Sequence, residues 1–192
     1  GGNTIYDAAV KIQEQLPRRL FWGHIRALVI SEAVAKEPFT HHVDFFLRHP
    51  QPRLRTKLFV CEGNAKDILN VLTPLEKSSA EAAQELSKMG FGLHVTVMDF
   101  LQMVHSEAHA AALPWLEISS PDQDNGDMPP EYLHLNGSAI IQNGQMAGKI
   151  DDLSTRGLLW IMDKINLAEI TFTPSNGKGN LAVQIIRSKT RL

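Results

Sequence analysis

The side chains best suited to chemistry here are histidines, the usual metal ligands and general bases. His105 and His109 stand four apart in His105-Ser106-Glu107-Ala108-His109. That spacing would put two zinc ligands on one helix face. The metalloprotease pattern has glutamate directly after the first histidine, where it serves as general base. Glu107 is one place too late for that role, and no third ligand is identifiable. The expectation is a pair of exposed histidines near a helix end. The alternative is a metal- or small-molecule-binding module, or a hydrolase, using His105 and His109. His41-His42 opens another helical run, with Asp44 three places beyond His41, and reads as a surface face. His24 follows Trp22-Gly23 ahead of an apolar run. It is either a working group at a strand end or a polar residue closing that end.

Other chemistries find less support. The single cysteine, Cys61, lies in the apolar run Lys57-Leu58-Phe59-Val60-Cys61, with no base beside it and no CxxC partner. It reads as a buried, inert thiol. There is no G-x-S-x-G elbow and no G-x-x-x-x-G-K-[ST] phosphate loop. Asp151-Asp152 begins a helix, where the helix dipole alone accounts for carboxylates. No catalytic, cofactor-binding or metal-binding residue is therefore expected. The densest positive stretch holds Arg48, Arg53, Arg55 and Lys57. It has no interleaved aromatics for stacking on bases, so the contact expected of Arg48, Arg53 and Arg55 is with a protein partner.

The elements that must hold these groups follow from pattern. A chain of 192 residues with 43% hydrophobic and 21% charged residues can bury a core unaided. A net charge of −2 supplies no field that would draw it to nucleic acid. No apolar run reaches the ~20 residues of a bilayer span, and no signal peptide begins the chain.

Helical spacing runs from a Thr4 cap to Pro17, and strand character over 23–31. Thr40 begins a helix that stops at Pro50; 57–62 is a second strand; helices follow from Asn64, from Ser78 or Ser79, and over 96–109. Residues 113–118 look extended. The acidic, proline-bearing segment 121–132 reads as a linker. Beyond it come strands 133–141 and 145–150 around an Asn143-Gly144 turn, a helix over 151–164, and strands at 170–172 and 181–186. The expected class is mixed α+β. A helix-flanked sheet domain, 3–120, precedes a smaller antiparallel α+β domain, 133–192. Both ends look cut, as in an internal piece of a longer chain.

The order of several short motifs carries a resemblance. They are Asn3-Thr4-Ile5-Tyr6-Asp7-Ala8, Leu20-Phe21-Trp22-Gly23-His24, Ile30-Ser31-Glu32-Ala33, Asp44-Phe45-Phe46-Leu47-Arg48-His49-Pro50 and Cys61-Glu62-Gly63-Asn64-Ala65. Leu135-Asn136-Gly137-Ser138-Ala139 and Thr155-Arg156-Gly157-Leu158-Leu159-Trp160 follow. Over nearly its whole length the chain resembles the C-subunit family of spore germinant receptors, the Ger(x)C lipoproteins of endospore-forming bacteria. The resemblance implies no enzyme. It implies a lipoprotein on the outer face of the spore inner membrane, assembling with integral-membrane A and B subunits into a nutrient receptor. The resemblance implies that the family's lipidated N-terminal cysteine and its further C-terminal domain lie outside this sequence, and that Cys61, in mid-chain, is not the lipidated residue. No family residue roles carry over. His24 is then expected to fix the Trp22-Gly23 turn through hydrogen bonds.

Overall fold

Leu58, Phe59, Val60 and Cys61 are all fully buried, and that places their strand at the centre of the molecule. The computed structural model describes residues 5–48, 54–71, 76–89, 92–120, 131–165, 168–172 and 181–185. Thr4, Pro50, most of the expected linker and the turn at 174–179 lie outside them.

In chain order the elements are α1 (Ile5–Glu14), a 3-10 turn (Trp22–His24), β1 (Ala27–Ser31), α2 (Glu32–Ala35), α3 (Thr40–Arg48) and β2 (Lys57–Cys61). Then come α4 (Ala65–Asn70), α5 (Ser79–Lys88), α6 (Val97–Val104) and β3 (Ala110–Ser119). β4 (Tyr132–Gln142), β5 (Gln145–Ile150), α7 (Asp152–Ile161), β6 (Ala168–Phe172) and β7 (Leu181–Ile185) complete the described chain. The class is mixed α+β, as the sequence predicts.

β1 to β5 form one sheet in sequence order. β1, β2 and β3 pair in parallel, and β4 and β5 are added antiparallel. The expected boundary at 121–132 thus lies between two paired strands, and the β4–β5 hairpin extends the sheet of the first block. Among the described residues, β6 and β7 pair only with each other.

The sheet carries a core on each face because strand side chains alternate. Leu58 and Val60 join Ile30, Leu113 and Trp115 under α3, α6 and α7. Phe59 and Cys61 join Leu116 and Leu133 under α4 and α5. Phe39 and Phe100, both fully buried, stack with ring centroids 5.6 Å apart. Each contributes about 2–3 kcal/mol by burial. Phe39 N–H donates to the Gly144 carbonyl at 3.1 Å, which ties the segment after α2 to the Asn143-Gly144 turn. Both turn residues have positive φ, 50° and 84°, as a two-residue hairpin of this kind requires.

β4 switches faces partway. Pro114 pairs with Ser138 but Leu116 with Leu135, so one residue of β3, Trp115, opposes two of β4, Asn136 and Gly137. The extra residue reverses the alternation. Leu133 and Leu135 face α4 and α5, whereas Ala139 and Ile141 face the other core. Gly137, at φ 86°, makes the bulge.

Three local expectations need correction. The strand predicted from Gly23 begins at Ala27, because Trp22–His24 winds into a 3-10 turn. β1 is an edge strand, mostly half-buried, where the apolar run suggested burial on both faces. The helix predicted over 96–109 ends at Val104. Its start is as expected: Thr96 and Asp99 form a capping box.

Candidate functional site

Two polar hollows on the described surface gather side chains that could hold a ligand or partner. The first is built on the Trp22–His24 turn. Phe21 folds its ring over Gly23, where a Cβ would push that exposed ring aside. Thr56 Oγ1 donates to the Ile25 carbonyl at 3.2 Å, and Lys57 N–H donates to the Arg26 carbonyl at 3.1 Å. These bonds bring the turn beside the loop that precedes β2. The result is a hollow of about 200 Å³ lined by His24, Arg26, Arg55, Thr56 and Gln84.

The charges at this hollow are uneven. Arg26 lies 3.8 Å from Glu81 and 3.4 Å from the Gln84 amide oxygen. Arg55 is exposed and has no ion-pair partner among the described residues. Two guanidinium groups at one opening present planar forks of donors, which suit a carboxylate from another molecule. Phe21, 62% exposed, stands at the same place with its ring edge-on to His24, centroids 5.3 Å apart. An apolar ring beside spare cationic donors is the composition of a protein-contact spot.

Of the predicted contact residues, Arg55 lies in this hollow. Arg48 lies at the end of α3, with its side chain not described, and Arg53 is outside the described residues. His24 is exposed and makes no side-chain hydrogen bond among the described residues. The turn is fixed by Thr56 and by the Ile25 N–H bond to the Trp22 carbonyl, not by the imidazole as expected.

The second hollow, about 600 Å³, was not read from the sequence. Its lining includes Lys88 at the end of α5, His94, Asp99 in α6, and Leu159, Asp163 and Lys164 in and after α7. Behind it sits Lys57, only 8% exposed, with its ammonium on His94 Nε2. His94 Nδ1 lies 3.1 Å from the Ser87 carbonyl, an acceptor only, so Nδ1 carries the proton and Nε2 accepts from Lys57. Burial lowers the Lys57 pKa; Asp99 opposes that shift, and Lys88 adds to it. Burial pushes the Asp99 pKa up, but hydrogen bonds from Thr96 and the charges of Lys164 and Lys57 bring it below its ordinary value. No signal of helical or strand period could have found this cluster, because its members come from five separate segments.

A third polar group is satisfied internally. Glu117 accepts from Trp115 Nε1 at 2.7 Å, from Asn136 at 2.9 Å and from Lys149. Lys149 also lies 4.9 Å above the Trp115 ring. This network ties β3, β4 and β5 together and leaves no group aimed at a ligand.

The remaining candidates separate. His105 is the C-cap of α6 and His109 has φ 46°, so the two do not share a helix face. Their Nδ1–H groups donate to the carbonyls of Leu101 and Val104, at 2.7 and 3.2 Å. Among the described residues, no three His, Cys, Asp or Glu side chains come together to hold a metal ion. His41 and His42 pack with ring centroids 3.8 Å apart; the Asp44 side chain is not described. Cys61 is fully buried, with its pKa raised to about 11 by burial and by the charge of Asp67. No described helix is long and apolar enough to cross a membrane.

Comparison with known proteins covers almost the whole chain. Residues 1–118 match the family model described as the spore germination protein N-terminal domain. Residues 136–192 match the model described as spore germination B3/GerAC like, C-terminal. Two proteins of Bacillus subtilis strain 168 are similar. One, named for spore germination, is YfkR: 26% identical, with 97% of this chain matched to 48% of that protein. The other is spore germination protein KC: 24% identical, with 100% of this chain matched to 51% of that protein. The chain therefore spans about half the length of these relatives. In fold it is similar to the crystal structure of the GerBC protein, with TM-score 0.56 and 16% identity. That match covers 96% of this chain and 50% of the other.

Proposed function

The chain belongs to the spore germination family whose N-terminal and GerAC-like C-terminal models it matches, and from that membership we propose that it serves as the C subunit of a nutrient germinant receptor. In this reading it is a non-enzymatic scaffold that works through protein contact. It assembles with integral-membrane A and B subunits at the outer face of the spore inner membrane, held there by a lipid on a part of the polypeptide outside this sequence. Residues 3–120 and 133–192 act as two units joined through one sheet.

The observation that carries the reading is the fit of both family models, in order, across 1–118 and 136–192. The surface offered for contact is the hollow around His24, Arg26 and Arg55, beside exposed Phe21. Its guanidinium donors suit acidic side chains on a partner.

The test is affinity purification of the full-length protein from detergent-solubilised spore membranes. Recovery of polytopic membrane proteins in a fixed ratio is the expected result. Recovery of the protein alone, while a known membrane complex survives the same detergent, overturns the reading.

A further inference from the structure

We propose that the hollow between α5, α6 and the end of α7 binds a small organic acid, whose carboxylate or phosphate is received by Lys164 at the lining, with the Lys57 ammonium behind His94 adding positive charge. The inference stands apart from the receptor role, since it rests on a different surface.

A buried ammonium is costly unless its donors are met. Lys57 has a neutral imidazole as its bonded partner, with Ser87 holding that ring in the required tautomer. The carboxylate that stabilises its charge, Asp99, has Oδ2 already bonded to the Thr96 N–H and Oγ1, at 2.9 and 2.7 Å. Lys164 lines the same space, and its ammonium makes no hydrogen bond or ion pair among the described residues. Lys88 lies at the rim, paired with Glu85 at 2.6 Å. Lys57 and Lys88 repel each other, and an anion held in the hollow by Lys164 and Lys88 relieves that repulsion.

The remaining lining decides the size and class of the ligand. A space of about 600 Å³ is that of a small organic molecule, much larger than a halide needs. Leu159 supplies an apolar wall for a carbon skeleton. Asp99 and Asp163 disfavour a large polyanion, so one or two acidic groups match best.

The experiment is an NMR titration of the purified 192-residue chain with succinate and, separately, inorganic phosphate, each against sodium chloride at matched ionic strength. Saturable shifts confined to His94 and to residues near 92–99 and 163–164 are expected. Succinate alone giving them assigns a carboxylate ligand, and phosphate alone a phosphate ligand. Lys164→Gln, an exposed change that leaves the core intact, should weaken binding about tenfold. Lys57→Met should also weaken it, with Lys164→Gln deciding the matter if that variant does not fold. Shifts that chloride reproduces, no saturable shift from either anion, or unchanged affinity in Lys164→Gln overturns the proposal.

Discussion

Gly137 lies directly against the main-chain carbonyl of Ile150, so close that a Cβ on residue 137 would run into that oxygen. The contact sits at the bulge where β4 changes faces, with Ser138 paired to Ile150 one residue on. Left-handed backbone and steric contact therefore act at a single residue. Gly137→Ala should cost ~3 kcal/mol or more in stability, read from the denaturant midpoint. A loss below ~0.5 kcal/mol would show that the strand can rearrange freely.

Glu117 links stability to acid. Burial raises its pKa, yet the hydrogen bonds from Lys149, Asn136 and Trp115 and the charge of Lys149 bring it below its ordinary value. A depressed folded pKa contributes stability that is present above the unfolded value and lost as pH falls through the folded one. Thermal melts from pH 6 downward should therefore show a steeper decline for the native chain than for Glu117→Gln. Parallel declines would remove Glu117 as a cause.

His105 closes α6 through its bond to the Leu101 carbonyl. His105→Ala should destabilise by about 1 kcal/mol, the worth of one partly buried hydrogen bond. His109→Ala, with a longer and exposed bond, should cost less. Equal and large losses would indicate a shared role that the geometry does not contain.

The thiol of Cys61 should be silent in the native protein. It is fully buried, and its pKa near 11 leaves almost no thiolate at neutral pH. A thiol-reactive dye at pH 8 should label the folded chain only at the rate of unfolding, and one thiol per chain in denaturant. Rapid native labelling would contradict the burial.

Arg26→Glu with Arg55→Glu reverses the charge of the first hollow. Both side chains are exposed, so thermal stability should move by no more than ~0.5 kcal/mol. Recovery of membrane partners with the full-length protein should fall several-fold. Undiminished recovery would move the contact surface away from His24 and Arg55.

Much of the architecture is legible in single stretches of chain, for reasons of local chemistry. The run Leu58-Phe59-Val60-Cys61 is apolar at every position and proves to be a central strand. Asn143-Gly144 tolerates positive φ and proves to be the hairpin turn. Ser78 and Asp151 carry side-chain oxygens that accept from Glu81 N–H and Ser154 N–H, and each caps its helix. Caps, turns and periodicity act within a few residues, so these positions declare themselves without reference to the fold.

Other features depend on what comes to lie alongside. The apolar run before Ser31 has the composition of a buried strand, but among the described residues its end of the sheet has no further neighbour, so β1 is an edge. His105 and His109 have helical spacing, but α6 ends before them and their Nδ1–H groups close it. Lys57 reads as one more charge in a basic stretch, and only the approach of His94 and Asp99 from distant segments places it behind a hollow, bonded to His94. Local sequence determined which elements form and how they start and stop, because those choices rest on contacts between near neighbours. The tertiary structure alone decided which charges face each other and which strand lies at the edge, because those depend on residues tens of positions apart.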